Sequence, residues 1–340
     1  MISYNKAARK NLNLNYLHKS LFRKTSGKNQ FMRLKKIKNI PLKLRREFYK
    51  IPLFNTIQEQ AYQKALESHA QFLPQLCSQG QSIVNALKKD GTCILPIDKL
   101  GLSSTSEMMN RAFSLANRLV LPAEFTKLEQ PEIGSEKKDL KEFSEILLWA
   151  LEPKLLDIIE NYIGLPILYQ GFAMRRSIAD GQYSGVRRWH IDWEDRRTIK
   201  IIIYLNDVAE GGGPYEYISK NKTLKVIEAL NYYNLGYVSD AEMRKVLPIE
   251  EWIACLAEKG SAIISDTSSV FHRAQPPTKK ERFSITFCYT STTPQVIWRN
   301  RESSRQEWEI IERSLNQRQK ACLNRRRYSR ENKQQEMEDN

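Results

Sequence analysis

Residues 199–206 constrain the fold more than any other stretch. Ile199, Ile201, Ile203 and Leu205 alternate with Lys200, Ile202, Tyr204 and Asn206. Successive side chains of a strand point to opposite faces, and this period-two run of β-branched residues reads as a mostly buried strand. Gly211-Gly212-Gly213-Pro214 then turns the chain before a second short strand at 215–218. Further strand-like runs lie at 92–97, 167–173 and 262–265. Another is opened by Arg282, with Phe283, Ile285, Phe287 and Tyr289 on one face.

Helices surround this β pattern. Ile57, Ala61 and Ala65, then Ile83, Val84 and Leu87, keep the helical period over 55–90. Pro74 divides the stretch into two helices, and Asp90-Gly91 turns into the 92–97 strand. Residues 104–118, with Ser104 at the N-cap position, and 139–162 read as further helices, a new one starting at Pro153. The expected class is mostly β with flanking helices. The expected organisation is a basic N-terminal extension (1–50), a main domain (51–300) and a C-terminal helix with a charged tail (301–340). Residues 219–258 form a polar, helix-like insert in the main domain, carrying Tyr232, Tyr233, Tyr237 and Trp252. Its two readings are a lid over a site and a packing excursion.

The charge is unevenly spread. Residues 1–50 hold 15 Lys/Arg and one acid, Glu47, so this arm carries +14 of the chain's +15. It reads as a solvated extension or, with its interleaved apolar residues, as a weak contact for an anionic membrane surface or another polyanion. The five cysteines include no C-x-x-C pair, which points to free thiols in a reducing compartment and to a cytoplasmic location. No apolar run reaches the length of a membrane span, and no signal-peptide core opens the chain.

Four histidines are present: His18, His69, His190 and His272. His18 lies in the basic arm and His69 in a helical segment, neither with a partner motif. His190 and Asp192 stand two apart, so on an extended chain they face one way. His272 follows the 262–265 strand. Two histidines and one carboxylate make the facial set that holds non-haem iron with positions left open. Arg282 offers a planar fork that matches a carboxylate. Glu194 and Asp195 are alternative carboxylates at less suitable spacing. The bland readings are a surface hydrogen-bonded pair for His190 and Asp192, and a satisfied strand-end histidine for His272. Asp266 reads either as a loop anchor or as a partner for a histidine proton. Arg187, Arg188, Arg196 and Arg197 flank the motif and face an anionic substrate or solvent. Trp189 and Trp193 read as packing residues.

The ordered set Trp189-His190-x-Asp192, Tyr204-Leu205-Asn206-Asp207, Gly213-Pro214 and Asp266-Thr267…His272-Arg273, followed by Arg282-x-Ser284, resembles the Fe(II)- and 2-oxoglutarate-dependent oxygenases, most nearly the phytanoyl-CoA dioxygenase-like branch. The resemblance spans about residues 80–295. It implies a double-stranded β-helix (jelly roll), and Fe(II) held by His190, Asp192 and His272. It also implies 2-oxoglutarate held by Arg282 and Ser284, dioxygen as the other cosubstrate, and hydroxylation of a small or medium organic molecule. By the same analogy Met174 and Arg176 line the cosubstrate pocket. Nucleic-acid demethylases of this superfamily carry Arg-x5-Arg after the distal histidine, and Arg282 has no such partner, so a nucleic-acid substrate is disfavoured. The competing function is a metal- and keto-acid-binding sensor module tethered by the basic arm. Substrate and oligomeric state are not legible.

Overall fold

The computed structural model describes residues 52–119, 132–134, 143–232, 236–296 and 311–323. The basic arm, Trp308 and most of the charged tail lie outside the described residues. The chain divides at Tyr62/Gln63, and the architecture below belongs to the unit that begins at Gln63.

In chain order the elements are α1 (Pro52–Ala70), α2 (Ser78–Asp90), β1 (Thr92–Pro96), α3 (Thr105–Asn117), β2 (Glu132–Gly134), α4 (Ser144–Ala150), α5 (Pro153–Ile163) and β3 (Ile167–Ser177). There follow β4 (Ile199–Tyr204), β5 (Tyr215–Tyr217), α6 (Lys220–Leu230), α7 (Asp240–Arg244), β6 (Ile253–Ala254), β7 (Ser261–Asp266), β8 (His272–Ala274), β9 (Arg282–Ser291) and α8 (Gln317–Ala321). The helix break at Pro74 and the helix start at Pro153 fall where the sequence puts them, because proline fits only the first turn of a helix. Gly91 ends α2 in the left-handed region with its N–H on the Leu87 carbonyl. A Cβ there would meet Val270 at 2.4 Å, so glycine is required twice over. Ser104 stands at the N-cap of α3, but its hydroxyl donates to Glu152 instead of capping the helix.

Among the described residues, nine strands form two antiparallel sheets, a larger one in the order β1-β7-β4-β9-β3-β2 and a smaller one in the order β6-β5-β8. His190 extends the smaller sheet through a bridge to His272. From β3 the chain alternates between sheets: β3 in the larger, the His190 bridge in the smaller, β4 back, β5 and β6 across, β7 back, β8 across, β9 back. That alternation is the double-stranded β-helix, and it follows from this strand order alone. The inner faces meet through Tyr204 and Ile263 on one side and Tyr215, Tyr217 and Val270 on the other. On the outer face of the larger sheet, Trp149 packs on Phe287 at 4.7 Å and Phe143 edge-on against Phe172. Each such buried aromatic contributes about 2–3 kcal/mol of apolar burial.

The 219–258 stretch is more than an insert, since it supplies β6. Its helices α6 and α7 close a core of Trp189, Ile218, Val226, Val238, Met243 and Phe271 on the smaller sheet. Packing is therefore its main structural role, although Tyr237 reaches the site.

Candidate metal centre

Three strand-and-loop neighbours build the site. The backbones of His190 and His272 exchange hydrogen bonds of 3.0 and 2.9 Å. Asp192 is fixed by its N–H on the Thr267 carbonyl, 2.9 Å. The ligating atoms of His190, Asp192 and His272 lie within 4.8 Å of one another. His190 Nε2 is 3.6 Å from Asp192 Oδ1, and His272 Nε2 is 3.4 Å from Asp192 Oδ2.

The histidine tautomers follow from what surrounds them. His190 Nδ1 is 2.8 Å from the Arg188 carbonyl, and His272 Nδ1 is 3.2 Å from the Val270 carbonyl. A carbonyl only accepts, so both Nδ1 atoms carry a proton, and both Nε2 atoms are the ones turned to the carboxylate. Burial, and then the His272 ring, push His190 down to about 3, so it is neutral at pH 7. Burial raises the Asp192 carboxyl, but Lys200 and the two histidines hold it well below its ordinary value. Two imidazole Nε2 atoms and one carboxylate thus converge on one point. The donor set therefore fits a divalent metal with two imidazoles and one carboxylate.

Arg282 opens β9 and is buried. Its guanidinium donates to the Gly213 carbonyl and to Ser177 Oγ at 3.3 Å, while its Nε is buried with no partner among the described residues. Burial lowers its proton affinity; Tyr204 opposes that, and Arg187 and Arg175 add to it. A buried cation with cationic neighbours and no carboxylate bonded to it is costly, and an anionic ligand would relieve that cost. Ser284 is also buried, opposite Tyr204 on β4 and Arg175 on β3.

The structure corrects one expectation and decides several alternatives. Met174 and Arg176 do not line the inner face. Arg175 and Ser177 pair with Ser284 and Arg282, whereas Met174 and Arg176 pair with Ile285 and Phe283, whose side chains point the other way. Arg176 forms an ion pair with Glu281 at 2.8 Å. Asp266 accepts from Tyr162, the Thr198 N–H and Ser269, so it anchors a loop and takes no histidine proton. Asp195 accepts from the Arg196 and Ser291 N–H groups and Glu194 pairs with Lys200, so neither joins the three ligands. Arg187 pairs with Asp180, and Arg197 binds the Tyr162 carbonyl. Trp189 packs in the core, as expected. His69 binds Glu160.

Sequence reasoning missed Lys200 and Tyr215, and placed Tyr237 only within a stretch that could cover a site. Lys200 Nζ is 2.5 Å from Asp192 Oδ2. Tyr215 stacks on His272, and Tyr237 packs edge-on against His190 with the Arg188 guanidinium over its ring. A lysine within a run of isoleucines that reads as a mostly buried strand was the available signal for the first.

No protein-family model matches the chain, and no curated protein matches it. Solved structures similar in backbone include the non-heme alpha-ketoglutarate-dependent epimerase SnoN from nogalamycin biosynthesis, 11% identical over 63% of this chain and 83% of that one, TM-score 0.40. Another is HygX from Streptomyces hygroscopicus with nickel, 2-oxoglutarate and hygromycin B bound, 12% identical over 64% and 90%, TM-score 0.42. A third is AviO1 from Streptomyces viridochromogenes Tue57, 16% identical over 65% and 98%, TM-score 0.43. Likeness at this level assigns nothing to the present chain, whose fold rests on its own strand order.

Proposed function

We propose that this chain is an Fe(II)- and 2-oxoglutarate-dependent oxygenase of the phytanoyl-CoA dioxygenase-like kind, hydroxylating a small or medium organic molecule. The observation that carries the reading is the convergence of His190, Asp192 and His272, with both Nε2 atoms turned to the carboxylate and the ligating atoms within 4.8 Å of one another. The buried Arg282 with an unpartnered Nε supports it as the place for a carboxylate.

His190, Asp192 and His272 would hold the metal. When bound, iron(II) with 2-oxoglutarate supplies the oxidation: the keto acid loses carbon dioxide and becomes succinate, and one oxygen atom of dioxygen enters a substrate C–H bond. The chain's own contribution is positioning. The Arg188 and Val270 carbonyls fix the imidazole rings. Arg282 pairs with the distal carboxylate of the keto acid, and the Ser284 hydroxyl adds a hydrogen bond on the same strand face. Tyr237 packs edge-on against the His190 ring.

The test is the anaerobic visible spectrum of protein with Fe(II) and 2-oxoglutarate, beside His272→Ala, followed by succinate release over a substrate panel. A broad charge-transfer band in wild type, lost in the variant, is expected. Metal and keto acid both bound without that band would defeat the reading. A band with no succinate from any substrate would favour the sensor module.

A further inference from the structure

We infer that Lys200 is a positioning residue that keeps Glu194 out of the metal's coordination, so that the site stays at two histidines and one carboxylate. The inference rests on the metal-site reading above. Lys200 Nζ lies 2.5 Å from Asp192 Oδ2 and 3.1 Å from Glu194 Oε1. The two carboxylates, with side chains 12% and 13% exposed, both contact this ammonium.

The arrangement is held from several sides. β4 is a central strand, paired with β7 and β9, and Lys200 sits between Ser265 and Cys288. Its side chain therefore starts from the inner face of the barrel, where Asp192 and Glu194 receive it. The Glu194 carbonyl accepts the N–H groups of Gln295 and Val296 at 2.8 and 2.9 Å, which fixes its backbone. Its second carboxylate oxygen accepts the Trp193 N–H at 3.0 Å.

Removing the ammonium takes away the cation that bridges two nearly buried carboxylates. A divalent metal on Asp192 would then attract Glu194 into the vacated space. A fourth protein ligand would take a position that the keto acid or dioxygen needs. Lysine at this position thus preserves the open face, at the cost of weakening Asp192 as a donor.

The experiment uses full-length protein freed of metal and titrated anaerobically with Co(II), followed by calorimetry and visible absorption, with and without 2-oxoglutarate. Lys200→Met is expected to bind Co(II) at least about tenfold tighter, because a cation beside the ligand is gone. Its spectrum should differ from wild type and no longer respond to 2-oxoglutarate. Lys200→Met/Glu194→Gln should recover the wild-type spectrum and the response. Glu194→Gln alone should leave the spectrum unchanged and the affinity within about threefold. A folded Lys200→Met that binds Co(II) more weakly, or keeps the wild-type spectrum and response, overturns the inference. So does a double variant that fails to recover. Should Lys200→Met not fold, a changed spectrum in Glu194→Gln overturns it, because Glu194 would already be a ligand. Wild type that ignores Co(II), or His272→Ala that binds it equally, defeats the metal-site reading itself and this inference with it.

Discussion

His190 and His272 are direct backbone partners: each N–H donates to the other's carbonyl, at 3.0 and 2.9 Å, and their rings stand 4.3 Å apart between centroids. The bridge is what converts two distant sequence positions into one chelating pair. Strand pairing holds the ring spacing, and the Arg188 and Val270 carbonyls hold the ring orientation.

Replacing either histidine by alanine should therefore remove metal binding while leaving the backbone bridge in place. We expect at least a ~100-fold loss of Fe(II) or Mn(II) affinity, above the 10–100-fold typical of residues that only orient ligands. Calorimetric titration of His272→Ala, with circular dichroism to confirm folding, checks this. Retained affinity would mean the three residues are not the ligands.

Acid should destabilise the metal-free protein earlier than ordinary carboxylate titration does. His190 is held at about 3 in the fold, against about 6.5 when unfolded. Between those values the unfolded chain carries the extra proton, so this contribution is complete above pH 6.5 and falls as pH drops toward 3. The slope is at most about 1.4 kcal/mol per pH unit. Asp192, depressed in the fold, acts in the same direction at the acid end, losing its contribution as pH falls from about 4. Urea midpoints measured from pH 7 to 4 should fall less steeply for His190→Asn than for wild type. Parallel curves would show that His190 is not held neutral.

The longer strands, the flanking helices and the grouping of His190, Asp192 and His272 were legible, because period-two alternation and the His-x-Asp spacing are local properties; the two- and three-residue strands β2 and β6 are too short to show a period. The facing of β3 was not. Its pairing with β9 slips between Tyr169 and Gly171, and one extra residue reverses which side every later side chain takes. Arg175, and not Arg176, therefore shares the inner face with Ser284, and adjacent arginines gave no hint of the choice. Lys200 escaped for a different reason. Its partners come from the loop after His190, and only the folded chain shows that loop lying over β4.

Arg273 should matter for stability out of proportion to its place beside His272. It is buried, donates to Glu216 at 2.5 Å and to Asp240 on α7, and lies over the Trp189 ring at 4.5 Å. Arg273→Ala leaves the buried Glu216 uncompensated, and breaking such a pair costs about 3–5 kcal/mol. Burial already raises the Glu216 carboxyl even with the arginine present. Chemical denaturation should show that loss, and limited proteolysis should cut first between α6 and α7. A loss below about 1 kcal/mol would mean that the ion pairs are dispensable.

Arg282→Leu should separate ligand binding from stability, with opposite signs. The guanidinium is buried beside Arg175 and Arg187 influences, its Nε has no partner, and burial already disfavours its charge. Replacing an uncompensated buried cation by an apolar side chain of similar reach removes a desolvation cost, so the ligand-free variant should be more stable than wild type by about 1 kcal/mol or more. The same change removes charge-assisted hydrogen bonds worth about 1.5–3 kcal/mol each, so 2-oxoglutarate affinity should fall at least ~10-fold while metal affinity stays level. Arg282→Lys should not restore keto-acid binding, because a point charge lacks the two-pronged fit. Thermal unfolding without ligand and 2-oxoglutarate titration of the metal-loaded protein measure both halves. A variant that loses stability and keeps its affinity would show that Arg282 serves the Gly213 turn through its carbonyl contact and does not hold a ligand.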